Sequence, residues 1–192
     1  MYSSLSELGR VHHNPPIEVI VETDDNWLVQ EAARIQQLYV TQEPDAEITV
    51  YFGKEGVELR KTNKPHQNGF RVDFSTIDRR TGAGNLSKKQ PLPKAIGSCK
   101  TIIDATAGFG VDAARLALMG FRVVAFEKSP ILALMVRDAI RRTQEDASLF
   151  EALCNKLECV EADSAARLLT IPKPDVIYLD PMFPPKRKKS AL

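Results

Sequence analysis

From residue 101 onward, short apolar runs alternate with longer stretches whose apolar residues recur every three or four positions. "TIID", "RVVAFE", "LECVEAD" and "DVIYLD" are too short for helices, and their continuous apolar character predicts strands buried on both faces. Between them lie "GVDAARLALMG", "SPILALMVRDAIRR" and a further helical stretch from roughly Glu145 to Cys154. Gly120 closes the first helix, at the position where helices favour a left-handed residue. Ser129 caps the second, with Pro130 at its first position. Strands alternating with helices predict a parallel sheet covered on both faces. Right-handed crossovers make it a Rossmann-like, doubly wound α/β sheet.

Upstream the pattern changes. "IEVIVET" (Ile17 to Thr23) alternates and is β-branched, as a strand is. "DDNWLVQEAARIQQLYV" follows, with Asp24 or Asp25 as cap and Trp27, Leu28, Ala32, Ile35 and Leu38/Tyr39 at helical spacing. "ITVYFGKEGVELRK" gives two alternating runs around Gly53-Lys54-Glu55-Gly56, a hairpin. "FRVDF" (Phe70 to Phe74) reads as one more short strand. Residues 1–80 are thus expected to form a small α+β domain. "DRRTGAGNLSKKQPLPK" (Asp78 to Lys94) is rich in Gly, Pro, Lys and Arg and has little periodicity. It is either a flexible linker or a basic loop that meets a substrate; its spacing is not that of a phosphate-binding Walker loop. The expected organisation is residues 1–80, a linker over 81–98, and a ligand-binding domain over 99–192.

Composition narrows the class. The chain has 192 residues, 43% hydrophobic and 27% charged, in the range of a globular protein. No apolar run approaches the roughly 18 residues of a membrane span. "MYSSLSELGR" has neither the basic nor the apolar region of a secretion signal, so a cytoplasmic location is expected. The net charge of +1 makes any nucleic-acid signal a local one. Cys99, Cys154 and Cys159 form no CxxC and read as reduced thiols. They lack a histidine that would complete a zinc site, and no metal is expected. The oligomeric state is left open.

In such sheets the ligand sits beyond the carboxyl ends of the strands. All four predicted strands deliver an acid there: Asp104, Glu127 (followed by Lys128), Asp163 (followed by Ser164) and Asp180. Solvated strand ends would give some acids; four in succession point to a site. After Asp104, Gly108 and Gly110 let the backbone approach a ligand and turn into a helix. Glu127 lies where a carboxylate can accept both hydroxyls of a ribose. Asp104 and Asp112, on either side of the glycine loop, would repel a pyrophosphate. They suit a ligand with a positive end, which favours S-adenosylmethionine over a nicotinamide dinucleotide.

"YLDPMFPPKRKK" (Tyr178 to Lys189) then acquires a reading. A planar amine substrate needs an acceptor for its N–H bonds, a face for its ring and a rigid backbone. Asp180 is the candidate acceptor, Phe183 the ring platform, and Pro181, Pro184 and Pro185 restrict the loop. The alternative is a proline-rich turn with Phe183 in the core. Lys186, Arg187, Lys188 and Lys189 are candidate phosphate contacts, or else a solvated charge run.

"DATAGFGVDA", "FEK", "ADS" and "YLDPMFPPKRKKSAL" resemble the bacterial small-subunit ribosomal RNA guanine-N2 methyltransferases of the RsmJ family, from about Gly84 to Leu192. "WLVQEAARIQQL" is also similar. The resemblance implies a class I methyltransferase sheet and methyl transfer from S-adenosylmethionine to a guanine N2 of ribosomal RNA, with ribosomal RNA or the small ribosomal subunit as partner. It places cofactor contacts on Val111-Asp112, Glu127-Lys128, Asp163-Ser164 and Asp180. Val111 stands where the family usually has arginine. Since that sheet normally continues with about three more strands, the chain ending at "KKSAL" is expected to be C-terminally truncated. The DP-x-F loop suits any exocyclic amine. An amino-methyltransferase acting on DNA adenine or protein therefore stays open, as does a non-catalytic nucleotide-binding module.

Overall fold

The computed structural model describes residues 16–39, 41, 45–64, 69–80 and 86–181. The chain divides into two compact units, Met1–Arg71 and Val72–Leu192.

The first unit comprises β1 (Ile17–Val21), α1 (Asn26–Leu38), β2 (Ile48–Gly53) and β3 (Gly56–Lys61). Asp25 starts α1 by accepting the backbone N–H groups of Trp27 and Leu28 at 3.0 and 3.1 Å. Leu28, Ala32 and Ile35, spaced by a helical turn, are buried. β1 and β2 pair in parallel, and β3 returns antiparallel in the expected hairpin, through a two-residue turn. Ile17, Val50, Phe52 and Val57 are buried in this sheet. "FRVDF" is not a strand. Phe70 makes a single bridge to Leu59, and Phe74–Thr76 is a 3-10 turn. The Asp73 carboxylate accepts the Ser75 N–H at 2.9 Å, offering the backbone an alternative to a ladder.

The second unit contains α2 (Pro91–Ile96), β4 (Thr101–Asp104), α3 (Val111–Leu118), β5 (Arg122–Glu127), α4 (Pro130–Arg142), α5 (Ala147–Leu153), β6 (Leu157–Glu161), α6 (Ser164–Arg167) and β7 (Val176–Tyr178). Its four described strands are all parallel, in the order β6-β5-β4-β7. The chain builds outward from β4 to β6 and then returns to the other side of β4 with β7. That reversal opens a crevice at the carboxyl ends of β4 and β7. The small residues Ala113, Ala114 and Ala117 of α3, and Ala133, Leu134 and Val136 of α4, are fully buried. Ile103, Ala105 and Phe126 form a cluster against which Val124, Val160, Leu168 and Ile171 pack.

Two details differ from the sequence pattern. Part of the stretch expected to be linker is α2, in which Pro93 and Ile96 are buried. Prolines at 91 and 93 suit a first helical turn, whose N–H groups have no intrahelical partner. "DVIYLD" contributes only three residues to the sheet, and Ile177 and Leu179 are 46% and 60% exposed. Among the described residues β7 pairs on one side only, with β4, so it lacks the double cover its apolar run suggested. No described helix is long and apolar enough to cross a membrane. The described residues contain no group of three His, Cys, Asp or Glu side chains arranged to hold a metal ion.

Candidate active site

The loop after β4 is stitched to both neighbouring strands. Ala105 N–H donates to the Tyr178 carbonyl at 3.0 Å, and Ala107 N–H to the Phe126 carbonyl at 3.1 Å. The Asp104 carboxylate accepts the Thr106 N–H at 3.0 Å, which tightens the turn out of the strand. Gly108 and Gly110 both have left-handed backbones, with φ of 53° and 69°. A Cβ on Gly110 would come within 3.0 Å of a Val136 methyl, so the loop presses directly on α4. Glu127 secures it: one carboxylate oxygen accepts the Gly108 N–H at 2.8 Å, the other the Ser129 N–H at 2.7 Å. The acid expected to meet a ribose therefore also staples the glycine loop to the start of α4. Each of its oxygens keeps a second lone pair.

A cleft of about 860 Å³ opens over these strand ends. Asp104, Gly108, Val111, Asp112, Glu127, Lys128, Asp163, Ser164, Asp180 and Pro181 all line it. The fold thus gathers ten sequence-predicted residues from four strand ends. Gly110 is buried and shapes the loop from beneath. Phe183, Lys186, Arg187, Lys188 and Lys189 lie outside the described residues. The cleft also takes in Thr106, Phe109, Arg115, Phe126, Leu132, Ala162 and Tyr178, which sequence reasoning did not select. Two of these left a signal: Arg115 sits one turn beyond the glycine loop, three residues from Asp112, and Tyr178 lies two residues before Asp180.

Asp180 is anchored through its backbone, whose N–H donates to the Thr106 hydroxyl at 2.8 Å. The start of the "DPMFPP" loop is thereby tied to the loop after β4. Asp112 is shared: Arg115 donates to one oxygen at 3.0 Å and the Tyr178 hydroxyl to the other at 3.1 Å. Burial, reinforced by the Asp112 charge, pushes the Tyr178 phenol above its usual range. Lys128 meets Asp163 at 2.8 Å and holds that carboxyl below the usual carboxylate range. Asp163 also caps α6 through the Ala165 N–H at 3.0 Å.

Asp104 is the most perturbed acid of the cleft. It is 2% exposed. Burial pushes its carboxyl up to about 6, and the charges of Asp112, Glu127 and Asp180 add to the effect against the opposing Thr106 N–H. Five acids (Asp104, Asp112, Glu127, Asp163 and Asp180) line the cleft with two cations, Arg115 and Lys128. Negative charge is in excess, so the cleft selects for a ligand that carries positive charge.

A family model of SAM-dependent methyltransferases matches residues 33–192. Ribosomal RNA small subunit methyltransferase J of Aeromonas salmonicida is 33% identical, over 92% of this chain and 72% of the relative. The protein of that name from Shewanella amazonensis is 34% identical, over 92% of this chain and 71% of its own length. The crystal structure of a SAM-dependent methyltransferase from Neisseria gonorrhoeae superposes with a TM-score of 0.66 at 27% identity, covering 86% of this chain and 70% of that one.

Proposed function

The chain belongs to the ribosomal RNA small subunit methyltransferase J family of S-adenosylmethionine-dependent methyltransferases, and on that premise we propose that it methylates the exocyclic N2 amino group of a guanine in small-subunit ribosomal RNA. The relatives' names support ribosomal RNA as substrate. The DP-x-F loop supports an exocyclic amine. The observation that carries the reading is Asp180, two residues beyond β7, lining the cleft with its backbone held by Thr106.

The cleft suits this cofactor. Its excess of carboxylates favours a sulfonium and an ammonium, and Phe126, Leu132 and Ala162 offer apolar surface to a base. Asp104, Gly108, Gly110, Val111, Asp112, Glu127, Lys128, Asp163, Ser164 and Asp180 are the residues assigned to holding it. When bound, S-adenosylmethionine supplies an electrophilic methyl group on sulfur. The Asp180 carboxylate accepts an N–H of the substrate amine and leaves the nitrogen lone pair free to attack. It then takes up, or passes to water, the one proton the nitrogen loses as it gains the methyl. Pro181 stiffens the backbone on which Asp180 rides. Phe183 is assigned the ring platform, and Lys186, Arg187, Lys188 and Lys189 the phosphates beside the target.

The test is methyl transfer from isotope-labelled S-adenosylmethionine to ribosomal RNA and to small ribosomal subunits, with the product nucleoside identified by mass spectrometry. Labelled N2-methylguanosine is expected. Asp180→Ala should lower its rate by roughly 10²–10⁴-fold while leaving affinity for S-adenosylhomocysteine nearly unchanged. Label on adenine N6 or on protein would instead identify an amino-methyltransferase of another substrate. Cofactor binding with no transfer to any acceptor would leave a binding module.

A further inference from the structure

The segment leading through α2 has a fixed backbone and a one-sided charge. Leu86 and Ser87 are buried at its start, and Pro93 and Ile96 are buried within α2. The Ser87 carbonyl accepts the Gln90 N–H at 3.1 Å and its hydroxyl the Lys89 N–H at 3.3 Å. The Gln90 carbonyl accepts the Lys94 N–H at 3.2 Å. Pro91 and Pro93 remove further backbone freedom. From Arg79 to Ile103 the chain has no acid and six cations: Arg79, Arg80, Lys88, Lys89, Lys94 and Lys100. Taking these from the 26 basic residues leaves 20 against 25 acids, so without this segment the chain would be net negative. Arg79 and Arg80 are engaged by Asp146 and Asp78. Lys88, Lys89 and Lys94 are exposed, and among the described residues none of them meets an acid. The cleft itself has no cation to spare for a phosphate, since Arg115 and Lys128 already face Asp112 and Asp163. A polyanion that delivers one nucleotide to an acid-lined cleft needs its phosphates neutralised outside it.

We propose that Lys88, Lys89 and Lys94 form a phosphate-binding surface for RNA, which holds the sugar–phosphate backbone while the target nucleotide enters the cleft. The inference rests on the reading of ribosomal RNA as substrate. An ammonium meets a phosphate as a point charge, so these lysines position the RNA and carry no base specificity. Each phosphate they neutralise releases counterions, which makes the contact favourable and salt-dependent. The fixed backbone gives the surface a defined place in the unit: four residues, Gly97–Lys100, separate α2 from β4, whose carboxyl end opens on the cleft. None of the three lysines lines the cleft, so cofactor binding does not depend on them.

Salt titrations of binding to a fluorescent transcript of small-subunit ribosomal RNA test it on the full chain. Lys88→Ala, Lys89→Ala and Lys94→Ala combined should weaken binding and lower the log–log salt slope by about 2–3 units. Affinity for S-adenosylhomocysteine by calorimetry and the melting temperature should not move. Arginine at the same three positions should keep the slope. Alanine at Lys54, Lys61 and Lys173, which are also exposed, removes equal charge elsewhere and should leave the slope unchanged. RNA binding whose slope ignores the first variant overturns the surface alone. So does an equal drop in the second, which would reduce the three lysines to their share of net charge. An unmodified chain that binds no RNA overturns ribosomal RNA as substrate, and this surface with it.

Discussion

In the amino-terminal unit, acids on or just beyond β1 and on β3 are met by a neighbouring side chain. Glu18 receives the Thr49 hydroxyl at 2.5 Å, Glu22 the Tyr51 hydroxyl at 2.6 Å, and Glu58 the Arg60 guanidinium at 2.9 Å. Arg60 also lies 3.3 Å from the centre of the Tyr51 ring. Each of these acids has a side-chain partner, and the partners come from the same sheet face. The carboxyl ends of the second sheet differ: five acids line one cleft with two cations. Among the described residues, Asp104 is buried there with the Thr106 N–H as its one hydrogen bond, and Glu127 accepts from backbone alone. Folding alone does not favour such an imbalance, because like charges gathered at low dielectric raise one another's cost of ionisation. The comparison separates acids that hold a fold together from acids kept ready for a ligand.

Breaking the link between β4 and β7 should show the largest effect. Thr106→Val removes the acceptor of the Asp180 N–H while keeping the shape of the side chain. Methyl transfer should fall by on the order of 10²-fold, the cost of a reacting group misplaced by about 1 Å. Affinity for S-adenosylhomocysteine should hold, and Thr106→Ser should restore the rate. Hydrogen exchange gives an independent readout: the Asp180 amide should be protected in the unmodified chain and in the Ser variant, and lose protection in the Val variant. Equal rates for all three would detach Thr106 from the chemistry.

Asp104 sharpens the contrast through pH. Its folded carboxyl lies at about 6, above the unfolded value of 3.8. The folded state therefore binds more protons than the unfolded state across that window, and stability falls as pH rises through it. A cationic ligand favours the ionised carboxylate, so affinity for S-adenosylmethionine should rise between pH 5 and 7. Asp104→Asn should flatten both profiles. Thermal melts and calorimetry across that range check the two slopes, and a binding profile already flat in the unmodified chain would exclude Asp104 as a contact for positive charge.

The smallest effect belongs to the amino-terminal sheet. Tyr51→Phe removes the exposed contact with Glu22 and keeps the ring under Arg60. Stability should drop by less than about 1 kcal/mol, as for other exposed polar contacts, with cofactor affinity and methyl transfer untouched. A marked loss of transfer in this variant would blur the distinction between the two sheets.

The sequence by itself determined the alternation of strands and helices from residue 101, the parallel sheet, the glycine loop and the acid near each strand end. All of these rest on local signals: a period of apolar residues, a capping side chain, a turn residue. Topology rules then carry strand ends to one edge without any knowledge of contacts. Only the tertiary structure decided what each side chain does there. Thr106 and Asp180 are 74 residues apart, and Tyr178 reaches Asp112 across 66; no periodicity encodes such a pairing. "FRVDF" alternates like a strand, yet past Phe70 the chain turns at Asp73, whose side chain satisfies the backbone locally. The prolines of α2 read as linker because their fit to a first helical turn shows only once Ile96 is seen buried. The elevated carboxyl of Asp104 likewise follows from burial. Burial is a property of everything packed around an atom, and it exists only after distant parts of the chain have met.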